Sequence, residues 1–174
     1  VERERAGAVV VSVNVGQIRH VTHHERDVTT GIYKEPVAGR VATRGVNIDG
    51  DDQADRRAHG GPDRAAYAYA GEDLAWWSEQ LGRPVPPGSM GENLTTSGLD
   101  VTGALVGERW RVGSSLELQV TDPRIPCGTF RGGRDRAGWL KPFGQAAGPG
   151  THLRGSPPGA VRASEQIAVT HRPD

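Results

Sequence analysis

Frequent glycine and proline residues constrain the fold of this chain more than any other feature. The 174 residues include 25 glycines and 12 prolines, scattered along the whole length. Between them lie short segments such as residues 9–15 (VVVSVNV), which place Val9, Val11, Val13 and Val15 on one face of a strand with a two-residue period. The chain is therefore expected to consist of many short strands joined by tight turns.

A single segment has the spacing of a helix. In residues 71–82 (GEDLAWWSEQLG), Leu74, Trp77 and Leu81 recur at helical intervals, and Gly82 suits the C-terminal cap. Further strands are indicated at residues 28–37 and 65–70, in a hairpin around Gly113, and at residues 159–170. Because strands and helices do not alternate regularly, the sequence predicts a mainly antiparallel β-barrel with a few short helices.

The balance of charge excludes two classes of partner. The chain has 21 basic and 21 acidic residues and a formal net charge of +0. It therefore lacks the positive surface that nucleic-acid binders and polybasic membrane anchors use. It also lacks the run of about 18 apolar residues that a membrane-spanning helix needs. Its one cysteine cannot form an internal disulfide, and these features together favour a cytoplasmic protein.

Two groups of metal-binding residue types are interpreted as structural. Residues 49–55 (DGDDQAD) have the acidic spacing of a calcium loop, but their glycine is misplaced, and Gly60 stands where the terminal glutamate ligand belongs. His20, His23 and His24 could supply zinc ligands, but no second cluster completes a tetrahedral site. We therefore expect a solvated loop at these histidines.

The sequence around the single cysteine, Cys127 in TDPRIPCGTF, leaves three interpretations open. Free cysteines are commonly small buried apolar residues. Alternatively, Arg124 and Arg131 would favour a thiolate, which is a soft metal ligand and a nucleophile that can carry sulfur. The third interpretation is a catalytic pair with His59 or His152, which no local motif supports.

Four motifs in sequence order resemble the MOSC domain, a family named after the C-terminal domain of molybdenum cofactor sulfurases. The motifs are VTTGIYKEPV (28–37), GDDQADRRAHGGPDRAAYAY (50–69), MGENLTTSGLD (90–100) and VGERWRVGSSLELQVTDPRIPC (106–127). The last motif ends at Cys127, in the position of the family cysteine, whereas Met90 replaces an aromatic residue of the family pattern. The resemblance implies a β-barrel of the pyruvate-kinase-barrel-like type.

The resemblance also implies a cofactor. In related bacterial proteins and in the mitochondrial amidoxime-reducing component, the family cysteine coordinates the molybdenum of a pterin cofactor, molybdopterin, and N-hydroxylated compounds are reduced to amines. This chain is accordingly expected to bind molybdenum through Cys127, with the cofactor carrying the redox chemistry. One alternative is a sulfur carrier that holds a persulfide on Cys127, and another is a cofactor-free barrel recruited to a different reaction or binding role.

A pterin cofactor carries a phosphate group, which requires donors from the protein. The first motif offers Thr30, Gly31 and Lys34, which supply a hydroxyl, a permissive backbone and an ammonium. Arg44 and Arg124 could add bidentate contacts to phosphate or pterin oxygens. These five residues are the predicted cofactor-binding set, together with Asn93.

The remaining candidates belong to the second and third motifs. Asn93 could hydrogen-bond the pterin or the substrate, whereas Glu92 could brace its loop. His59 could donate a proton to a departing oxygen because the pKa of histidine lies near neutrality, or it could satisfy turn amides together with Asp63. The large aromatic residues are expected to pack rather than to stack on substrate: Trp76, Trp77 and Trp110.

The reductase hypothesis requires partners as well. The chain has no flavin or nicotinamide fingerprint and no cluster ligands, so a separate electron-donor protein must serve it alongside a small-molecule substrate. Neither nucleic acid nor a membrane is an expected partner, and a homodimer is compatible with the sequence. Residues 1–174 are expected to form a single MOSC domain that lacks the C-terminal helical extension of some bacterial relatives.

Overall fold

The fold is mainly β, as the sequence predicted. A computed structural model describes residues 7–23, 26–52, 61–124, 148–156 and 159–174. Over these residues it contains one α-helix, α1 (Gly71–Leu81), and a short 3-10 helix (Pro62–Arg64). The strands are β1 (Val9–Val15), β2 (Arg19–His23), β3 (Arg26–Thr30), β4 (Glu35–Pro36), β5 (Val41–Thr43), β6 (Ala66–Ala70), β7 (Leu94–Ser97), β8 (Arg109–Val112), β9 (Leu116–Pro123), β10 (Thr151–Ser156), β11 (Gly159–Val161) and β12 (Ile167–His171).

Eight strands form one curled sheet, in the order β12-β8-β9-β10-β6-β7-β1-β4. Strands β6 and β7 run parallel because α1 and the loop after it carry the chain back between them, and the other neighbours are antiparallel. The Val10 amide donates to the Glu165 carbonyl (2.9 Å), and the Ser164 amide donates to the Val10 carbonyl (2.7 Å). The curl thus brings β1 against the segment that leads into β12.

The valine pattern of β1 predicted the correct element, but the four valines do not share one face of the strand. Val10 and Val13 are fully buried, whereas Val11 is 46% exposed. The pairing of β1 with β7 contains a β-bulge between Val10 and Ser12. A bulge inserts one residue and reverses which side chains face the core beyond it, so a strict two-residue period assigns the wrong side.

The predicted hairpin around Gly113 and the predicted helix are both confirmed. Strands β8 and β9 pair across Gly113, and Leu116, Leu118 and Val120 of β9 are buried. In α1, Leu74 and Trp77 are buried, and Gly82 ends the helix in the left-handed conformation.

Tryptophan packing, another prediction, is also confirmed. Trp77 Nε1 donates to the hydroxyl of Tyr69 (3.1 Å) and so ties α1 to β6. Trp76 packs edge-on against Trp77, and Trp110 is buried in the main core. With 11 residues, α1 cannot cross a bilayer, and no other helix of the described segments is long and apolar enough to do so.

The expectation of a solvated loop at the histidines was wrong. Strands β2 and β3 pair along their whole length as a separate two-stranded sheet. At the surface of this hairpin, Thr22 Oγ1 donates to Asp27 Oδ1 (2.7 Å), and His20 Nδ1 and Thr29 Oγ1 are hydrogen-bonded at 2.9 Å. Apart from the Val21–Val28 pair, the paired residues are polar or charged, so the sequence has no alternating hydrophobic pattern that would indicate β2. His24 lies outside the described residues.

Candidate functional site

A buried ion pair joins two loops of the molecule. Lys34, between β3 and β4, donates from Nζ to Oδ1 of Asp51, in the segment after β5. Their side chains are 7% and 1% exposed. An ammonium has three N–H donors, and within the described residues Lys34 uses one of them. Two donors of a buried cation therefore remain for another acceptor.

The Asp51 carboxylate has two further donors besides Lys34. The backbone amide of Gly16 donates to Oδ1 (2.9 Å), and the side-chain amide of Asn93 donates to Oδ2 (2.9 Å). The Asp51 backbone is fixed as well, because Asn47 Nδ2 donates to its carbonyl (3.1 Å). The carboxylate is thus held by segments that precede β2 and β7 as well as by Lys34.

Asn93 connects the carboxylate to the main sheet. Its Oδ1 accepts from the Tyr67 amide (3.0 Å), and its Nδ2 donates to the Asn14 carbonyl (3.3 Å) in addition to Asp51. Its backbone amide donates to the Tyr67 carbonyl (2.8 Å). Both side-chain amide hydrogens are therefore engaged by the protein, and this geometry favours a positioning role over the cofactor contact that the sequence suggested for Asn93.

Glu92 braces the loop beside Lys34, as the sequence suggested. Its carboxylate accepts from the amides of Gly88 (2.7 Å) and Met90 (2.9 Å) and from the Thr95 hydroxyl (2.9 Å). Burial raises the pKa of Glu92, and these donors oppose that rise. Gly88 has a φ of 86°, and a Cβ there would overlap the carbonyl oxygen of Lys34. The loop therefore lies directly against the Lys34 backbone.

Arg124 brings a second cation to the same region. It follows β9, and its guanidinium carbon lies 4.8 Å from the ring centre of Tyr67. Tyr67 donates from its hydroxyl to the Pro149 carbonyl (2.6 Å), and burial raises its pKa well above 10.0, so the ring stays neutral. No carboxylate of the described residues pairs with Arg124, and its guanidinium donates no hydrogen bond to them.

The charges of the two cations act on each other. Burial is the largest influence on Lys34 and lowers its pKa, the Asp51 carboxylate opposes that lowering, and Arg124 lowers the pKa further. Glu92 acts in the same direction as Asp51. In the described parts of the chain, Asp51 is the one carboxylate that contacts either Lys34 or Arg124. The arrangement can bind an anion with several oxygens, such as a phosphate group.

The predicted cofactor-binding residues divide into two groups. Thr30 ends β3 and Gly31 begins the loop that contains Lys34, and Thr30 Oγ1 accepts from the Ile32 amide at 3.2 Å. Arg44 is different, because its side chain is 68% exposed and it is hydrogen-bonded to Asp49 rather than to the buried cluster. The predicted catalytic residues Cys127 and His59 lie outside the described residues.

Sequence reasoning missed Asp51 and Tyr67. Asp51 was considered only within a failed calcium pattern, and its partners Gly16, Lys34 and Asn93 lie 35, 17 and 42 residues away in the chain. No local spacing marks such a residue. The lysine offered one available signal, because Lys34 is one of two lysines in a chain whose other basic residues are arginines.

Comparisons with known proteins agree with this fold and these motifs. The family model of the MOSC domain matches residues 55–168. The uncharacterized protein YflK of Bacillus subtilis is 37% identical over 118 residues, which cover 68% of this chain and 53% of YflK. Protein YiiM of Escherichia coli is 38% identical over 102 residues, which cover 56% of this chain and 45% of YiiM.

A more distant relative and a solved structure extend the match. A protein named reductase from Gibberella moniliformis is 27% identical over 155 residues, which cover 84% of this chain and 27% of that protein. The crystal structure of YiiM from Geobacillus stearothermophilus matches with a TM-score of 0.75 and 29% identity, over 94% of this chain and 75% of that one. This chain spans about half the length of YflK and of E. coli YiiM. Since the family model covers well over half of its residues, the chain belongs to the MOSC domain family.

Proposed function

We propose that this protein is a reductase that binds a molybdenum pterin cofactor and acts on small N-hydroxylated compounds. The observation that carries the proposal is the pair of cations with free donors. Among the described residues, the buried Lys34 ammonium uses one of its three N–H groups, and Arg124 has no carboxylate partner. Membership of the MOSC domain family and the similarity to a protein named reductase support it further.

The donor set fits the phosphate of such a cofactor. The Lys34 ammonium offers a point charge and the Arg124 guanidinium a planar fork, and the two together match a group with several negative oxygens. Thr30 Oγ1 accepts from the Ile32 amide and donates to no group in the part of the chain that the structure describes, so its hydroxyl hydrogen could serve the phosphate. Arg44 does not belong to this set, since its guanidinium is hydrogen-bonded to Asp49 at the surface.

When bound, the cofactor would supply the two-electron chemistry that removes oxygen from nitrogen. The chain would supply Cys127 as the soft ligand of the metal, three residues after Arg124 in the sequence. Lys34 and Arg124 would hold the phosphate, and the Tyr67 ring would keep the Arg124 guanidinium in place. His59 is the proposed proton donor, and a separate protein is the proposed source of electrons.

Molybdenum content tests this proposal directly. Wild type, Cys127→Ala and Cys127→Ser would be expressed together with cofactor biosynthesis and assayed by elemental mass spectrometry. We expect about one molybdenum per chain in the wild type and almost none in either variant, because neither replacement supplies a thiolate. Circular dichroism spectra that match the wild type would show that the variants are folded, and reduction of hydroxylamines by the loaded wild type would then be measured.

Two other results would point elsewhere. Sulfur on Cys127 that cyanide releases, in a protein without molybdenum, would favour the sulfur-carrier function. Absence of both metal and labile sulfur, when a known molybdenum protein loads in the same cells, would favour a barrel recruited to another role.

A further inference from the structure

Asp51 is held in place by groups that do not depend on Lys34. The Gly16 amide and the Asn93 side chain each donate to one of its oxygens, and the whole residue is 3% exposed. Asn93 is itself fixed by Tyr67 and Asn14. The carboxylate is therefore preorganised, and the flexible side chain of Lys34 adapts to it rather than the reverse.

A fixed carboxylate fixes the ammonium as well. Lys34 has four rotatable side-chain bonds and would otherwise sample many positions. Once one N–H bond is committed to Asp51, tetrahedral geometry confines the other two to directions away from that carboxylate. At the backbone of the same residue, the Lys34 carbonyl oxygen packs against Gly88, where there is no room for a Cβ. Both ends of Lys34 are thus located by other parts of the chain.

The same carboxylate favours the charged form of Lys34, because it opposes the lowering of the Lys34 pKa. The charged groups that act on Lys34 are Asp51, Arg124 and Glu92. Burial and Arg124 both favour loss of the Lys34 proton, and Asp51 is the carboxylate in direct contact with it. Removing that carboxylate leaves a buried amine beside a guanidinium, which is the environment that most disfavours an ammonium.

We propose that Asp51 is the positioning residue of the anion site: held by Gly16 and Asn93, it keeps Lys34 protonated and aims its two remaining N–H groups at the bound anion. This inference rests on the anion site of the proposed function. It assigns Asp51 a part that acts through Lys34, without contact between Asp51 and the anion.

The charge of Lys34 can be read without any activity assay. Lys141 is the only other lysine in the sequence, so Lys141→Arg leaves one lysine signal in a 13C NMR titration of the side chain. In that background, we expect Asp51→Asn to lower the pKa of Lys34 and Asp49→Asn to leave it unchanged. Asp49 is a matched control because it is an aspartate of the same loop, ion-paired with Arg44 at the surface. An unchanged Lys34 pKa in Asp51→Asn would overturn the proposal.

The second part of the proposal is that Asp51 orients the Lys34 donors toward the anion. Titration with inorganic phosphate, followed by the same NMR signal, tests it. We expect Asp51→Asn to bind phosphate about tenfold more weakly than the wild type, the cost of losing one oriented charge-assisted donor, with Asp49→Asn unaffected. Equal or tighter binding by Asp51→Asn would mean that Asp51 merely repels the anion, and the proposal would fail while the anion site stands. No phosphate binding by the wild type would remove the anion site and, with it, this role for Asp51.

A measurement on the unaltered site covers the case in which Asp51→Asn does not fold. If Lys34 contacts phosphate while bound to Asp51, saturating phosphate must raise the pKa of Lys34 in the Lys141→Arg protein. A Lys34 pKa that does not respond to phosphate would contradict the proposal without any substitution at position 51.

Discussion

Two ion pairs whose aspartates lie in the same loop show how burial changes the role of a charged pair. Lys34 and Asp51 have side chains 7% and 1% exposed, whereas Arg44 and Asp49 have side chains 68% and 38% exposed. Both cations were predicted from the sequence as contacts for an anionic cofactor. Within the described segments, the buried pair leaves two Lys34 donors without an acceptor, whereas the exposed pair is a surface contact in which solvent screens the charges.

The two pairs also differ in the direction of their pKa changes. Burial lowers the pKa of Lys34 and Arg124 lowers it further, and the attraction of the Asp51 carboxylate offsets these two influences only in part. Hydrogen bonding to Asp49 raises the pKa of Arg44, and the pKa of Asp49 falls for the same reason. A buried pair in this state is sensitive to the loss of either partner.

Replacing the buried cation should have the largest effect on stability. Lys34→Met leaves the Asp51 carboxylate buried without its counter-ion, so we expect a loss of about 3–5 kcal/mol in the free energy of unfolding. Urea unfolding followed by circular dichroism would measure it. A loss close to zero would mean that Asp51 is neutral or hydrated, and the contrast between the two pairs would disappear.

The difference in unfolding free energy between the wild type and Lys34→Met should increase with pH. The pKa of Lys34 is lower in the folded protein than its ordinary value of 10.5. Between these two values the unfolded chain binds more protons, so the wild type gains stability as pH rises through that window. Lys34→Met lacks this gain, and the difference in unfolding free energy between the two proteins should therefore widen with rising pH. A difference that narrows would contradict the lowered pKa.

Replacing the buried carboxylate of Glu92 should give the next largest loss of stability, although neutral donors rather than a cation hold it in the described structure. Glu92→Gln turns one oxygen into an NH2 group that faces the donors from Gly88, Met90 or Thr95, so we expect a loss of about 1–3 kcal/mol. The control is Glu117→Gln, because Glu117 is exposed on β9. Urea midpoints for the two variants would be compared. Equal midpoints would mean that the loop does not depend on Glu92.

Tyr67 separates the role of its ring from that of its hydroxyl. Tyr67→Phe loses the bond to the Pro149 carbonyl and keeps the ring beneath Arg124, so we expect a loss of about 0.5–1.5 kcal/mol in stability and unchanged phosphate binding. Tyr67→Leu removes the ring as well and should weaken phosphate binding. Calorimetric titration of both variants would decide. Normal binding by Tyr67→Leu would show that the ring does not position Arg124.

The exposed pair should give the smallest effect. Arg44→Met removes the cation that corresponds to Lys34, but its partner Asp49 remains accessible to water. We expect no measurable change in the urea midpoint, and any small change at low salt should vanish in about 1 M NaCl, where the screening length is roughly 3 Å. A large effect would show that the exposure of this pair is not what distinguishes it from the buried one.

Local patterns account for the parts of the fold that could be predicted. Helix α1 has its apolar spacing and its Gly82 cap within a dozen residues, and β8 and β9 are joined by a turn at Gly113. The bulge beside Val10 depends on how β1 pairs with β7, and no feature of the β1 sequence encodes it. The sequence indicated part of β3 but not β2, because four of the five residue pairs in the β2–β3 hairpin are polar or charged.

Of the candidate site, the sequence predicted the two cations, Lys34 and Arg124, but not the residues that position them. Lys34 stood out because lysine is rare in this chain, and Arg124 because it precedes the family cysteine in the motif. Asp51, by contrast, gains its role from groups brought together by three separate segments. Arg44 was also predicted as a cofactor contact, and its exposure and its bond to Asp49 at the surface distinguish it from Lys34.

The contact between β1 and the segment before β12 has a consequence for how the protein is made. Val10 bonds to Ser164 and Glu165, and the amide of Ile167 donates to the Ala8 carbonyl (2.7 Å). During synthesis, β1 leaves the ribosome long before these partners exist, so the curled sheet cannot be secured until Ile167 has emerged.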